Sequence, residues 1–139
     1  MIQMRLFPVF SVLLVSLLFI PACTEDDMLN PTDDRDQFLG YWDVNETCSR
    51  DSYAVQIVTD PSNSSQVLIK NFWLIGNNEK PPYAIVAGST ITIPKQLMCN
   101  NGSNEVQGSG KLKNNKIEWD YTVNDGADLY SCTASYEKQ

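Results

Sequence analysis

Hydrophobic and polar positions follow two different rules along this chain, and the change between them falls near Gln37. Before it, Leu6 to Ile20 is a run of fifteen residues without a charge. After it, apolar side chains recur at every second position. The alternation is clearest in Ile117-Glu118-Trp119-Asp120-Tyr121-Thr122-Val123, which ends in the turn formers Asn124-Asp125-Gly126. Period two places one set of side chains on one face, so this segment predicts a strand with one buried and one wet face. Similar runs are Tyr41 to Cys48, Ser52 to Thr59, Gln66 to Phe72, Tyr83 to Ala87, Thr90 to Ile93, Glu105 to Leu112 and Leu129 to Tyr136. That makes eight short strands separated by segments rich in Asn, Gly, Ser and Pro. No segment after Gln37 sustains a 3.6-residue apolar period, and the connections are too short for parallel crossovers.

The pattern therefore predicts an all-β, antiparallel meander of eight strands. It can close into a small barrel and remove its edges, or split into a two-sheet β-sandwich. Parity assigns the interior to Trp42, Val44, Tyr53, Val55, Ile57, Val67, Ile69, Ile85, Ile91, Ile93, Val106, Leu112, Ile117, Trp119 and Tyr121. Gly108 and Gly110 share the parity of Val106, where they leave space or let the strand bend. Tyr53, Trp119 and Tyr121 are the candidate ligand-binding residues: their rings suit a small apolar ligand, which the tyrosine hydroxyls would orient. The same rings would equally fill a narrow barrel. Phe72-Trp73-Leu74-Ile75 cannot all face inward on one strand, so part of that run is available to dock on another protein.

The uncharged run follows Arg5 and ends in Ile20-Pro21-Ala22-Cys23, which resembles the lipobox of bacterial lipoproteins. Fifteen residues are short for a membrane span, and the run reads as a secretory signal. On that resemblance residues 1–22 are removed and Cys23 becomes the lipidated N-terminus, so the membrane is reached through acyl chains. Cys23 to Asp36 holds six acids among fourteen residues and reads as a flexible tether, leaving residues 37–139 as the domain. An acidic run directly after the cysteine resembles the surface-export signal of lipoproteins in Bacteroidota. It implies the outer membrane, at the cell surface, or at the periplasmic face if the run is only a solvated linker.

Gly40-Tyr41-Trp42 at the start of the first strand resembles the G-x-W signature of lipocalins. With the strand count, the glycine-bearing run Val106 to Leu112 and the final Cys132-Thr133-Ala134-Ser135-Tyr136, the stretch Phe38 to Tyr136 is similar to small lipocalin-like lipoproteins of Bacteroidota. The resemblance implies structural roles for Gly40 and Trp42, the tryptophan plugging the closed end of the barrel, and a binding function without catalysis. The last strand offers no arginine to stack on Trp42.

With Cys23 lipidated, Cys48, Cys99 and Cys132 remain in an oxidising compartment, where one disulfide is expected. Three pairings are open. Closure of an antiparallel barrel makes the first and last strands neighbours, which favours Cys48 with Cys132 over a bridge through Cys99.

Composition narrows the chemistry. The chain has no histidine, so Ser-His-Asp and Cys-His arrangements and imidazole metal sites are absent. Ten basic against seventeen acidic residues, with no basic cluster, disfavour nucleic acid as a partner. Asp120 to Asp128 contains Asp125-Gly126, but its spacing fits no EF-hand and the pair is explained by a turn. Glu46, Glu118 and Asp120 would form a hydrolytic carboxylate pair only if two faced one cleft, and Glu118 and Asp120 fall on the wet face. The expectation is a non-enzymatic protein without metal or cofactor, whose partner is a small apolar ligand or another cell-envelope protein. Replacing Cys23 by Ser should move the protein from the detergent phase to the aqueous phase in phase separation and leave the precursor uncleaved; unchanged partitioning would rule out the anchor.

Overall fold

The computed structural model describes residues 32–49 and 51–139; the expected signal peptide, Cys23 and the expected tether through residue 31 lie outside the described residues. Eight strands follow in chain order: β1 Gly40–Glu46, β2 Tyr53–Thr59, β3 Gln66–Lys70, β4 Tyr83–Ala87, β5 Thr90–Met98, β6 Asn104–Lys113, β7 Lys116–Asn124 and β8 Leu129–Lys138. Each pairs antiparallel with its sequence neighbour, and β1 pairs with β8, so the meander closes into a barrel and the two-sheet alternative is excluded. Closure leaves no strand edge to be satisfied elsewhere. A single 3₁₀ turn, Phe72–Leu74, interrupts the connection between β3 and β4.

Alternation survives in nearly every strand. β1 buries Trp42, Val44 and Glu46, and β7 buries Ile117, Trp119, Tyr121 and Val123. The tight connection from β6 to β7 is Asn114-Asn115, both with positive φ (52° and 59°), the conformation a two-residue hairpin demands. Four details depart from the pattern read off the chain. The third strand stops at Lys70, and Phe72 lies in the 3₁₀ turn. The fifth strand continues past Ile93 to Met98, across a register shift between Ile93 and Gln96 that contains Pro94, which has no N–H for the ladder. In β4 the parity is inverted: Ala84 and Val86 are buried and Ile85 is 41% exposed. Ala84 lies opposite Val67 and Val86 opposite Ile91, and cross-strand partners share a face. Leu112, read as interior, is only half-buried.

The closed end is built from the N-terminal segment and the turns beneath it. Trp42 is fully buried, its indole N–H donates to the Phe38 carbonyl at 2.8 Å, and Lys138 Nζ lies 5.3 Å from the ring centroid. Lysine thus occupies the stacking position for which the last strand lacks an arginine. Arg35 donates to the Asn63 and Gln66 carbonyls, both at 3.2 Å, and the Asp34 carboxylate accepts the Gly88 N–H at 2.9 Å. These residues, from the acidic stretch ahead of the barrel, are stitched to its floor.

Cys48, just beyond β1, is bonded to Cys132 in β8 with Cα atoms 5.5 Å apart, while Cys99 is buried and free. A cross-link spanning 84 residues is worth about 4 kcal/mol in the chain-entropy account. It sits on the seam that closes the barrel, reinforced by the Thr47 N–H donating to the Thr133 carbonyl at 2.9 Å.

Gly108 and Gly110 make the interior possible. A Cβ on Gly108 would lie 2.3 Å from Tyr121 Cβ and 2.6 Å from the Asp120 carbonyl oxygen; one on Gly110 would lie 2.7 Å from the Trp119 ring. Two large rings of β7 occupy the volume that two absent side chains of β6 leave. Gly108→Ala should therefore cost about 1–3 kcal/mol in urea unfolding, because the clash is with backbone that cannot yield. Ser109→Ala on the outer face should stay within about 0.5 kcal/mol.

Candidate functional site

At the end of the barrel opposite Trp42, the interior changes character. Glu46 is the last residue of β1 and shares the parity of Trp42 and Val44, so its side chain must point inward; it is 7% exposed. The Tyr121 hydroxyl, from β7, donates to Glu46 Oε2. Tyr53 begins β2 and Tyr136 lies in β8, each opposite Val44 on a neighbouring strand, so both rings enter the same space. The Trp119 ring packs on Tyr136 at 5.7 Å between centroids.

Hydrogen bonding in this space is incomplete. Glu46 Oε1, the Tyr53 hydroxyl, the Tyr136 hydroxyl and Trp119 Nε1 are buried without a hydrogen-bond partner. Buried polar atoms are nearly always paired, so these four make the space a candidate site. The titration behaviour follows from the burial. Desolvation pushes the Glu46 carboxyl above its ordinary value, opposed by the nearby Tyr53 hydroxyl. Desolvation, then the charge of Glu46, pushes Tyr53 far up, and burial raises Tyr136 in the same direction. The tyrosines remain neutral donors and acceptors, and Glu46 is the group that changes charge.

The segment after β3 roofs the site. Phe72 is fully buried and packs edge-on against Tyr121 at 4.9 Å, while Trp73 packs on Tyr130 at 5.4 Å. Asn71, Trp73 and Leu74 have φ of 60°, 52° and 56°. For L side chains that region costs on the order of 1–2 kcal/mol per residue. The Asn71 amide braces the segment, donating to the Ala54 carbonyl at 2.9 Å and accepting the Gly76 N–H at 3.0 Å. Outside the roof is a cleft of about 310 Å³ lined by Trp73, Leu74, Ile75 and Cys99 among others. A larger depression of about 570 Å³ runs across β5 to β8, lined by Thr92, Gln107, Ser109, Asp120 and Thr133 together with Gly108, Tyr121 and Cys132.

The structure brings Tyr53, Trp119 and Tyr121 together, whereas Trp42 and Gly40 stand at the opposite end. Sequence reasoning missed Glu46, Tyr136 and Phe72. Parity with Val44 points Glu46 inward, a signal that its reading as half of a carboxylate pair does not use. Glu118 and Asp120 are exposed on the outer face. In the Asp125 turn, the carboxylate accepts the N–H groups of Ala127 and Asp128 at 2.9 and 2.8 Å. Among the described residues no group of three His, Cys, Asp or Glu side chains is placed to hold a metal ion. No known protein family matches the chain, and neither curated proteins nor solved structures return a match to it.

A carboxyl whose pKa is raised by folding binds its proton more tightly in the folded state, so its contribution weakens as pH rises above the ordinary value of 4.5 and through the raised one. Glu46→Gln keeps an acceptor for Tyr121 but cannot ionise. It should melt higher than wild type at pH 8, with the difference vanishing below pH 4.5, as followed by circular dichroism.

Proposed function

We propose that this protein is a lipid-anchored, non-catalytic binding module of the outer membrane, lipocalin-like in design, that holds a small molecule in the upper half of its barrel. The observation that carries this reading is the convergence of four unpartnered buried polar atoms, on Glu46, Tyr53, Trp119 and Tyr136, beneath a roof of side chains. At the closed end Trp42 and Phe38 are fully buried among aliphatic side chains. The ligand is therefore short, apolar over most of its surface, and carries a polar group. Tyr53 and Tyr121 orient that group and Trp119 supplies a wall. Cys23 is the lipid attachment site, and the chain enters the barrel at its closed end, which leaves the mouth free of covalent attachment.

A second reading is docking on another envelope protein. It is favoured by apolar side chains exposed around the mouth: Leu74 at 46%, Leu97 at 51% and Leu129 at 68%. The two readings separate in one experiment. Under the first, lipidated protein in detergent enhances the fluorescence of N-phenyl-1-naphthylamine above a micelle blank. Tyr53→Phe then weakens binding by about five-fold, the worth of one hydrogen bond. Trp119→Ala abolishes it with only a moderate loss of melting temperature. Wild type that binds no probe, with Trp119→Ala losing several kcal/mol of stability, would discard the carrier reading and leave docking standing.

A further inference from the structure

Glu46 is the one charged side chain buried among the described residues. One of its oxygens is held by Tyr121 and the other has no partner. The ion pairs of the described residues, Arg35 with Asp33, Lys95 with Glu105, and Lys116 with Glu118 and Glu137, all lie elsewhere. A carboxylate withdrawn from water is costly unless a cation accompanies it. Its surroundings are suited to one. Tyr53, Tyr121 and Tyr136 approach from β2, β7 and β8, and Phe72 closes over Tyr121. Aromatic faces attract cations, most strongly where water is excluded. The free Glu46 oxygen and the unpartnered hydroxyls of Tyr53 and Tyr136 are acceptors for N–H groups. An anionic ligand would meet the like charge of Glu46, and a neutral one would leave that charge uncompensated.

We infer that the interior site takes a small organic cation, a primary or secondary alkylammonium, with its N–H groups on Glu46 and its carbon framework among Tyr53, Tyr121 and Tyr136. This rests on the interior-binding reading above and narrows its ligand. Access runs past Phe72: one side of the segment rests on Tyr121, and the other, Trp73 to Ile75, lines the cleft of about 310 Å³ at the mouth. The backbone at Asn71, Trp73 and Leu74 is left-handed, a strained conformation held by the Asn71 amide and two backbone bonds, and it is the part of the roof whose release would open the interior.

The raised carboxyl pKa of Glu46 adds a pH dependence. The groups facing it are Tyr53 from β2, Tyr121 from β7 and Tyr136 from β8, and burial lifts the titration of Tyr53 and Tyr136 upward, away from the neutral range. An ammonium pairs with the ionised form of Glu46, so affinity for the cation increases as pH rises through the raised titration of that carboxyl, and affinity for a neutral isostere does not.

The test uses the lipidated full-length protein in detergent, titrated by calorimetry with phenethylammonium chloride and with 2-phenylethanol. At pH 8 the ammonium should bind about ten-fold tighter or more, the ratio should fall toward pH 4.5, and Glu46→Gln should abolish the preference while retaining the alcohol. Equal affinities at pH 8, or a preference kept by Glu46→Gln, would overturn the cation inference and leave the interior-binding reading intact. Should Glu46→Gln not fold, the wild-type ratio decides alone, since a ratio independent of pH overturns the inference. Failure of both compounds to bind wild type and Phe72→Ala, whose roof is opened, would remove both readings together.

Discussion

Every other feature of this molecule depends on the pairing of β1 with β8. Eight strands in a meander leave two edges, and only that seam removes them. Once it forms, the inward Val44 of β1 lies opposite inward side chains from both neighbours at once, Tyr53 of β2 and Tyr136 of β8. The interior cluster is thus a product of closure and would not exist in an open sheet. The Cys48–Cys132 bond holds the same seam at the mouth, and Lys138 lies over Trp42 at the floor. The seam is tied at both ends, and both ties are made by residues that alternation alone leaves without a role.

A barrel of eight strands has an interior just wide enough for side chains to fill. Here the filling is asymmetric around the circumference. β7 contributes Trp119 and Tyr121, and the facing stretch of β6 contributes Gly110 and Gly108. Volume removed from one strand is returned by its neighbour, and the glycines are there because the rings are. This packing constraint also brings two polar atoms inside: Trp119 Nε1, which is buried without a partner, and the Tyr121 hydroxyl, which donates to Glu46.

Much of this was legible in the chain. The strands whose outer positions are charged or hydroxylic, such as Ile117 to Val123, announce their parity because a wet face must contrast with a dry one. The Cys48–Cys132 pair was legible because closure makes first and last strands adjacent. β4 was not: Tyr83 to Ala87 is apolar throughout, so its alternation holds no information, and its facing was decided by the register with Val67 and Ile91. Phe72 to Ile75 was correctly legible as a run that no single strand could bury, but not as a roof. Its path depends on left-handed backbone at Trp73 and Leu74, which local preference argues against. Glu46 was hidden for a related reason. A carboxylate at an inward position reads as the end of a strand, not as part of its core, and only the tyrosines brought round from three other strands give it a context.

These misreadings gather at one end of the molecule. At the floor, local preference and tertiary structure agree: the Trp42 indole has its carbonyl, the Asn114-Asn115 turn has the residues its backbone calls for, and Arg35 and Asp34 satisfy the groups they reach. At the mouth they conflict, in an unpaired buried carboxylate oxygen, three buried donors without acceptors and left-handed Trp73 and Leu74. Natural sequences tend to be locally consistent except where function demands otherwise. A chain selected for stability alone had simple remedies at the mouth, a valine in place of Glu46 and phenylalanines in place of the tyrosines, each preserving the inward parity that closure requires. The conflict is confined to the half of the barrel that the floor, the glycine-for-ring exchange and the disulfide already hold in shape. That confinement lets the mouth depart from good packing while the fold does not depend on it.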